Sequence, residues 1–275
     1  MRTNVNGTVL DVFDEGAGEP VLLVHGFPDT HDIYRNQVPA LVEAGYRAIT
    51  FDLRGFGGSD KPTDTAQYTP AMTIADIAGV LDAVGVEKAH LVGHDWGAML
   101  SWTFATAMPD RVRSLTALSL GHLGAYQAAG WEQKEKAWYI LQFQNPLVEE
   151  WLLRDGAANF RDFFASHPDI DQVVEAVSAP YALTSALALY RAWAPPEALL
   201  DPPIEFPKLT LPVLGVHGVR DPYLTEKQMA DSEKYLSGYW RYESLPDVGH
   251  WLTLEVPDRV NELILEFLAG RHSSV

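Results

Sequence analysis

Short, mostly apolar runs alternate with helix-period stretches along most of this chain, and that alternation restricts its fold more than any other feature. Residues 21–24, 47–52, 89–92, 114–120 and 213–216 are such runs, mostly apolar along their length as strands buried on both faces of a parallel sheet should be. Helical patterns lie between or after them, at residues 73–84, 96–107 and 257–268. Strand, helix, strand repeated in this way predicts an α/β fold with a mostly parallel, doubly wound sheet. Residues 3–13 precede it, and Asn6-Gly7, a dipeptide suited to a two-residue turn, predicts an antiparallel hairpin there.

The alternation stops between residues 122 and 207, where aromatic- and alanine-rich helical stretches run without a strand. This segment is expected to be an inserted helical cap on a core made of residues 1–121 and 208–275. Its aromatic content exceeds what an exposed excursion should carry, so much of it is expected to face the core. The proline-rich stretch 194–209 cannot stay helical for long and is expected to act as a semi-rigid exit hinge.

Composition excludes several functions. Thirty-seven acidic against twenty basic residues give a formal charge of −17, which repels phosphate backbones and anionic lipid, so neither nucleic acid nor a membrane is expected as a partner. The absence of cysteine rules out disulfides, thiolate catalysis and cysteine-ligated metal. No metal or cofactor is expected. The opening residues, MRTNVNGTVLDVFDEG, lack the basic-then-apolar order of a signal peptide, which favours a cytoplasmic location. A monomer or homodimer is expected.

In HLVGHDWGAML, residues 90–100, a buried strand runs directly into a helix, and glycines at 93 and 97 flank Asp95 by two residues. A side chain displayed at so sharp a turn needs strained backbone angles and neighbours without bulk. Serine is the usual central residue of this turn. An aspartate there attacks without a base and gives an alkyl ester, which suits displacement at saturated carbon: opening an epoxide or expelling a halide. Judged alone, Asp95 also fits a helix N-cap, the lesser of the two readings. Other segments argue for chemistry. HGFPDT, residues 25–30, brings the Phe27 N–H toward the turn, where with the N–H of Trp96 it forms a candidate oxyanion hole. Further on, VLGVHGVRDPYL and LPDVGHWLTLE place Asp221 after one strand and His250 after the next β-like run. Nucleophile, acid, histidine is the chain order of hydrolases with this turn, and the acid would orient the histidine.

With these residues the chain resembles the epoxide hydrolases of the α/β-hydrolase fold superfamily over essentially its whole length. HGFP, DLRGFGGSDKP, GHDWGA, MPDRV, HGxxD and GHW occur in that family's order and approximate spacing. The resemblance implies Asp95 as nucleophile, His250 as the base that activates water, Asp221 as its orienting acid, and Phe27 and Trp96 as backbone donors. It also implies a cis bond before Pro28 and a small apolar epoxide as substrate. WYILQFQNP and ALALYRAW look like the family's two cap motifs and give Tyr139 and Tyr190 as the hydroxyls that bind the epoxide oxygen. Ring opening needs such an acid, because an alkoxide is a poor leaving group. Phe27, Pro28, Trp96, His122, Trp193 and Trp251 are expected to shape the substrate site.

Two other readings start from the same residues. A haloalkane dehalogenase shares the Asp-Trp pair, but usually carries a second halide donor where Phe27 stands. A haloacetate dehalogenase would be expected to have arginine at position 96. A hydrolase fold retained only for ligand binding need not keep nucleophile, acid and histidine together.

Overall fold

The computed structural model describes residues 1–199 and 205–270. Eight strands form one sheet: β1 (Arg2–Val5), β2 (Thr8–Gly16), β3 (Glu19–Val24), β4 (Tyr46–Phe51), β5 (Ala89–His94), β6 (Val112–Leu118), β7 (Val213–Gly218) and β8 (Trp240–Leu245). Their order is β1-β2-β4-β3-β5-β6-β7-β8. The hairpin turns at Asn6 and Gly7, whose φ values of 50° and 76° match the left-handed pair that a two-residue turn requires. β2 pairs antiparallel with β1 and β4, and every later pairing is parallel. Val21, Leu22, Leu23 and Val24 of β3 are completely buried, as a strand covered on both faces should be.

Helices α1 (Gln37–Glu43), α2 (Pro70–Ala83) and α3 (Trp96–Ala107) connect the first strands. The second begins three residues before its expected start because Pro70 suits the first helical position, where no N–H is needed. From β3 the chain goes outward to β4, then returns across β3 to place β5 on its other side. The crevice beyond the carboxyl ends of β3 and β5 is therefore a topological switch point, where ligands bind in open α/β sheets. Asp52, just after β4, fixes the loop above it by accepting the N–H groups of His31 and Gly58 at 2.9 and 2.7 Å. Arg54 in that loop makes a buried two-pronged bond to Asp76.

Between β6 and β7 lie α4 (Leu123–Ala128), α5 (Trp131–Lys136), α6 (Tyr139–Gln142), α7 (Val148–Phe163), α8 (Ile170–Val177) and α9 (Ala182–Trp193), with no strand among the described residues. The helices are shorter than the expected long stretches. Even α7 is broken at Arg154–Ala157, where three successive residues have positive φ. Aromatic burial is divided: Tyr139, Phe143, Phe160, Phe164 and Tyr190 are buried, while Trp131, Trp138 and Tyr181 are exposed. The expected exit hinge starts with a single 3-10 turn at Pro196–Leu199, and residues 200–204 of it lie outside the described residues. After β7 come α10 (Glu226–Ala230), α11 (Leu252–Glu255) and α12 (Pro257–Leu268).

Candidate active site

Asp95 joins β5 to α3 with φ 53° and ψ −122°, a conformation that side chains rarely adopt. The turn is possible because its neighbours lack bulk. A Cβ on Gly97 would come within 1.8 Å of the Val24 carbonyl oxygen, and one on Gly93 within 2.4 Å of the Gly97 carbonyl. Although Asp95 occupies the N-cap position of α3, its carboxylate caps nothing. Its Oδ1 accepts the Phe27 N–H at 2.8 Å instead, so the helix-cap account of this aspartate fails.

The donor loop follows β3 and carries a cis Phe27-Pro28 bond, as the resemblance implied. Gly26 is required there because a Cβ would lie 2.4 Å from Asp95 Oδ1. Trp96 opens α3, and its amide is one of the donors that the first helical turn leaves without an internal partner. Among the described residues it forms no bond to the Asp95 carboxylate, so the two expected donors differ: one is engaged and the other is free.

His250 stands on the far side of Asp95, with Nε2 3.6 Å from Oδ2 and Nδ1 2.7 Å from Asp221 Oδ2. The other Asp221 oxygen accepts the N–H groups of Tyr223 and Leu224 at 2.7 and 2.9 Å. This fully bonded acid therefore fixes the imidazole tautomer with Nε2 toward Asp95. Burial alone would lower the His250 pKa, but the Asp221 carboxylate and then Asp95 raise it to about 10. Burial pushes the Asp221 carboxyl up, and the His250 charge and hydrogen bond more than reverse this.

Tyr139 and Tyr190 reach the same place from the cap. The Tyr190 ring is 4.9 Å from that of Trp96, 5.3 Å from that of Phe27 and 6.2 Å from that of Tyr139. Neither hydroxyl donates a hydrogen bond to a protein acceptor among the described residues. Burial, the other phenols and the Asp95 charge push the Tyr139 pKa well above its ordinary value. For Tyr190, burial and Asp95 do the same against a partial offset from the Trp96 side chain. Both phenols thus keep their protons.

Sequence reasoning named the cap aromatics only as a mass and missed how they surround Phe27. The rings of Phe143 and Phe164 stand 5.8 and 5.6 Å from it. Tyr223, two residues past the acid, was missed too, and its ring packs 5.1 Å from His250 and 5.8 Å from Tyr139. Its hydroxyl donates to the Phe163 carbonyl at 2.9 Å and so binds core to cap. Gln133 of α5 adds a second tie, donating to the Tyr223 carbonyl at 3.0 Å and accepting the Thr225 N–H at 2.8 Å. Proximity in sequence to Asp221 was the available signal for Tyr223. A lone buried glutamine gives none.

Three residues expected to shape the substrate site fare differently. Trp193 stands against Trp96, ring to ring at 5.8 Å, with a buried indole N–H that has no partner among the described residues. His122 is occupied elsewhere: Nδ1 caps α4 by accepting the Gly124 N–H at 3.1 Å, and the ring stacks on Tyr235 at 4.4 Å. Burial lowers its pKa to about 4. Capping and packing are the contacts His122 makes in this structure. Trp251 is completely buried and bonded through its indole N–H to Asp29 at 3.1 Å. Pro28 borders a small cleft at the seam between the donor loop and the segment around His167. A cleft of about 450 Å³ opens outside the Phe163–Tyr223 wall, between Ser166, Arg220, Asp247 and Glu255. Asp95 does not line it.

Residues 19–257 match the family described as alpha/beta hydrolase fold. Epoxide hydrolase A of Mycobacterium tuberculosis is 32% identical, the alignment covering 97% of this chain and 96% of that protein. An epoxide hydrolase of Caballeronia sordidicola is 31% identical over 96% of this chain and 91% of its own length. Among solved structures, an epoxide hydrolase of Bacillus megaterium in complex with an inhibitor has a TM-score of 0.89 at 28% identity, covering 98% of this chain and 100% of that one.

Proposed function

The chain belongs to the α/β-hydrolase fold family, and we propose that it is an epoxide hydrolase that opens an epoxide to a vicinal diol through an ester formed on Asp95. The observation that carries this reading is the pair of buried tyrosines beside a carboxylate nucleophile, whose O–H groups are spent on no acceptor among the described residues. A dehalogenase has no use for two such acids.

In the first step Tyr139 and Tyr190 donate to the epoxide oxygen while an Asp95 oxygen attacks a ring carbon in line. The C–O bond of the ring breaks, and the departing oxygen takes a proton from one tyrosine. The Asp95 charge that disfavours ionisation of both phenols moves during this step to the oxygen they hold, so repulsion becomes attraction. Esterification also removes one of the two carboxylates that hold the His250 proton. The imidazolium then releases its proton, which balances the one given up by the tyrosine, and becomes a base only once there is an ester to hydrolyse.

In the second step His250 takes a proton from water, and the hydroxide attacks the Asp95 carbonyl carbon. The oxyanion is received by the N–H groups of Phe27 and Trp96. Collapse breaks the acyl C–O bond, and the proton left on the attacking oxygen passes to the departing alkoxide, which frees the diol and leaves Asp95 as a carboxylate beside the imidazolium. The helices of residues 122–207 act as a cap that keeps bulk water from the first step, and their aromatic lining selects an apolar epoxide. Assays with alkyl and aryl epoxides beside a bromoalkane test the reading. Diol without halide release is expected, whereas halide release without diol assigns the chain to dehalogenation.

A further inference from the structure

Asp29 is a buried carboxylate, 6% exposed, that neither chemical step uses. It lies two residues after Phe27, and its two oxygens receive donors from distant parts of the chain. Oδ1 is 3.0 Å from Nε2 of His167, in the segment between α7 and α8 of the cap. Nδ1 of that ring accepts the Asp169 N–H at 2.9 Å, so Nε2 carries the proton and donates it. Oδ2 accepts the indole N–H of Trp251, the residue after the base, at 3.1 Å. Bonds from neutral donors to a buried carboxylate are strong because little water competes for either partner. Burial would raise the Asp29 pKa, and the His167 hydrogen bond leads the interactions that outweigh it and hold the group below its ordinary value.

Each donor belongs to a different half of the reaction. The Trp251 ring stands perpendicular to His250 with centroids 4.9 Å apart. The surrounding backbone is held from other sides: the His250 carbonyl accepts from His94 and Ser119 at 2.9 and 2.7 Å, and Glu255 accepts the N–H groups of Gly249 and Trp251. On the cap side, the His167 N–H bonds the Phe164 carbonyl at 2.9 Å. Phe163 and Phe164 pack against each other, and Phe163 lies 5.3 Å from Tyr139.

We propose that Asp29 is a positioning residue with two separable arms, in which His167 sets the cap phenol of Tyr139 for ring opening and Trp251 sets His250 for ester hydrolysis. This rests on the epoxide-hydrolase reading, because only a two-step reaction gives the arms different duties.

The test separates the steps kinetically. The ratio kcat/KM reports events through ring opening, while kcat also contains ester hydrolysis. Trp251→Phe keeps the ring and removes the donor. It is expected to lower kcat by about ten- to a hundredfold, as small displacements of a catalytic group do, with kcat/KM nearly unchanged and the ester building up on the Asp95 peptide by mass. His167→Phe is expected to lower kcat/KM over a similar range without ester build-up, and His167→Gln, which keeps a donor, should recover most of the loss. Asp29→Asn should lower both parameters. Partial unfolding cannot imitate this split, because a smaller active fraction lowers kcat and kcat/KM by one factor. If Trp251→Phe and His167→Phe change neither parameter, or each lowers both equally, the two-armed role is overturned. A His250→Gln control that forms no ester with an epoxide overturns the parent reading as well, and one that forms it confines the failure to Asp29.

Discussion

Asp95, Asp221 and His250 stand just beyond strand ends and are linked in a row by separations of 3.6 and 2.7 Å, whereas Tyr139 and Tyr190 stand on short cap helices and are located by ring packing 4.9 to 6.2 Å apart. Directional bonds fix an atom to tenths of an ångström, and each has no substitute. Ring packing spreads the same task over Phe27, Trp96, Phe143 and Phe163, so a single loss is shared. The core half of the site should therefore fail abruptly when changed and the cap half by degrees.

The largest effect is expected at His250. His250→Gln should lose turnover by three or more orders of magnitude, the scale on which removing an essential base acts, yet still form the ester once. Mass analysis of the Asp95 peptide checks this, and a variant that keeps turning over would break the contrast at its strongest point. Replacing both Tyr139 and Tyr190 by phenylalanine should lower kcat/KM by about 10²–10⁴-fold, the range of general acid catalysis, with either change alone costing less. A single tyrosine change as severe as His250→Gln would show the cap to be as abrupt as the core.

The smallest effect is in titration. Because Asp221 and Asp95 raise the His250 pKa to about 10, the imidazolium should persist well above pH 7. Its stabilising contribution is complete below the unfolded-state value of about 6.5 and is lost as pH rises through the folded value. Asp95→Asn removes one of the two carboxylates, so the His250 ring resonances should titrate at lower pH, and the stability gained from the pair should fade earlier. An unmoved midpoint would mean that Asp95 exerts no field on the base.

The same contrast explains what was legible. Glycine at 93 and 97, the cis-linked Phe27-Pro28 loop and the acid-then-histidine order are short local patterns, and steric demand ties each to one geometry. α3 and α12 begin and end where the helical pattern does. β8 was named only as a β-like run because Arg241, Glu243 and Ser244 interrupt its apolar residues at the edge of the sheet. In the cap, the break inside α7 and the exposure of Trp131 and Trp138 depend on contacts between distant segments that leave no periodic mark. The contacts of His122 and Trp251 were not legible for a related reason. A residue beside a motif can serve a helix end or support a loop, and its type does not say which. Asp29 and His167 were invisible for the same cause: their meaning lies in a pairing 138 positions apart.

The central claim is that Asp95 itself attacks the substrate. A single turnover with enzyme in excess over epoxide, run in heavy-oxygen water, measures this directly. The account predicts an unlabelled diol, with the heavy oxygen found in the Asp95 carboxyl group. Heavy oxygen in the first diol formed, with none in the protein, would contradict it and mean that water opens the ring.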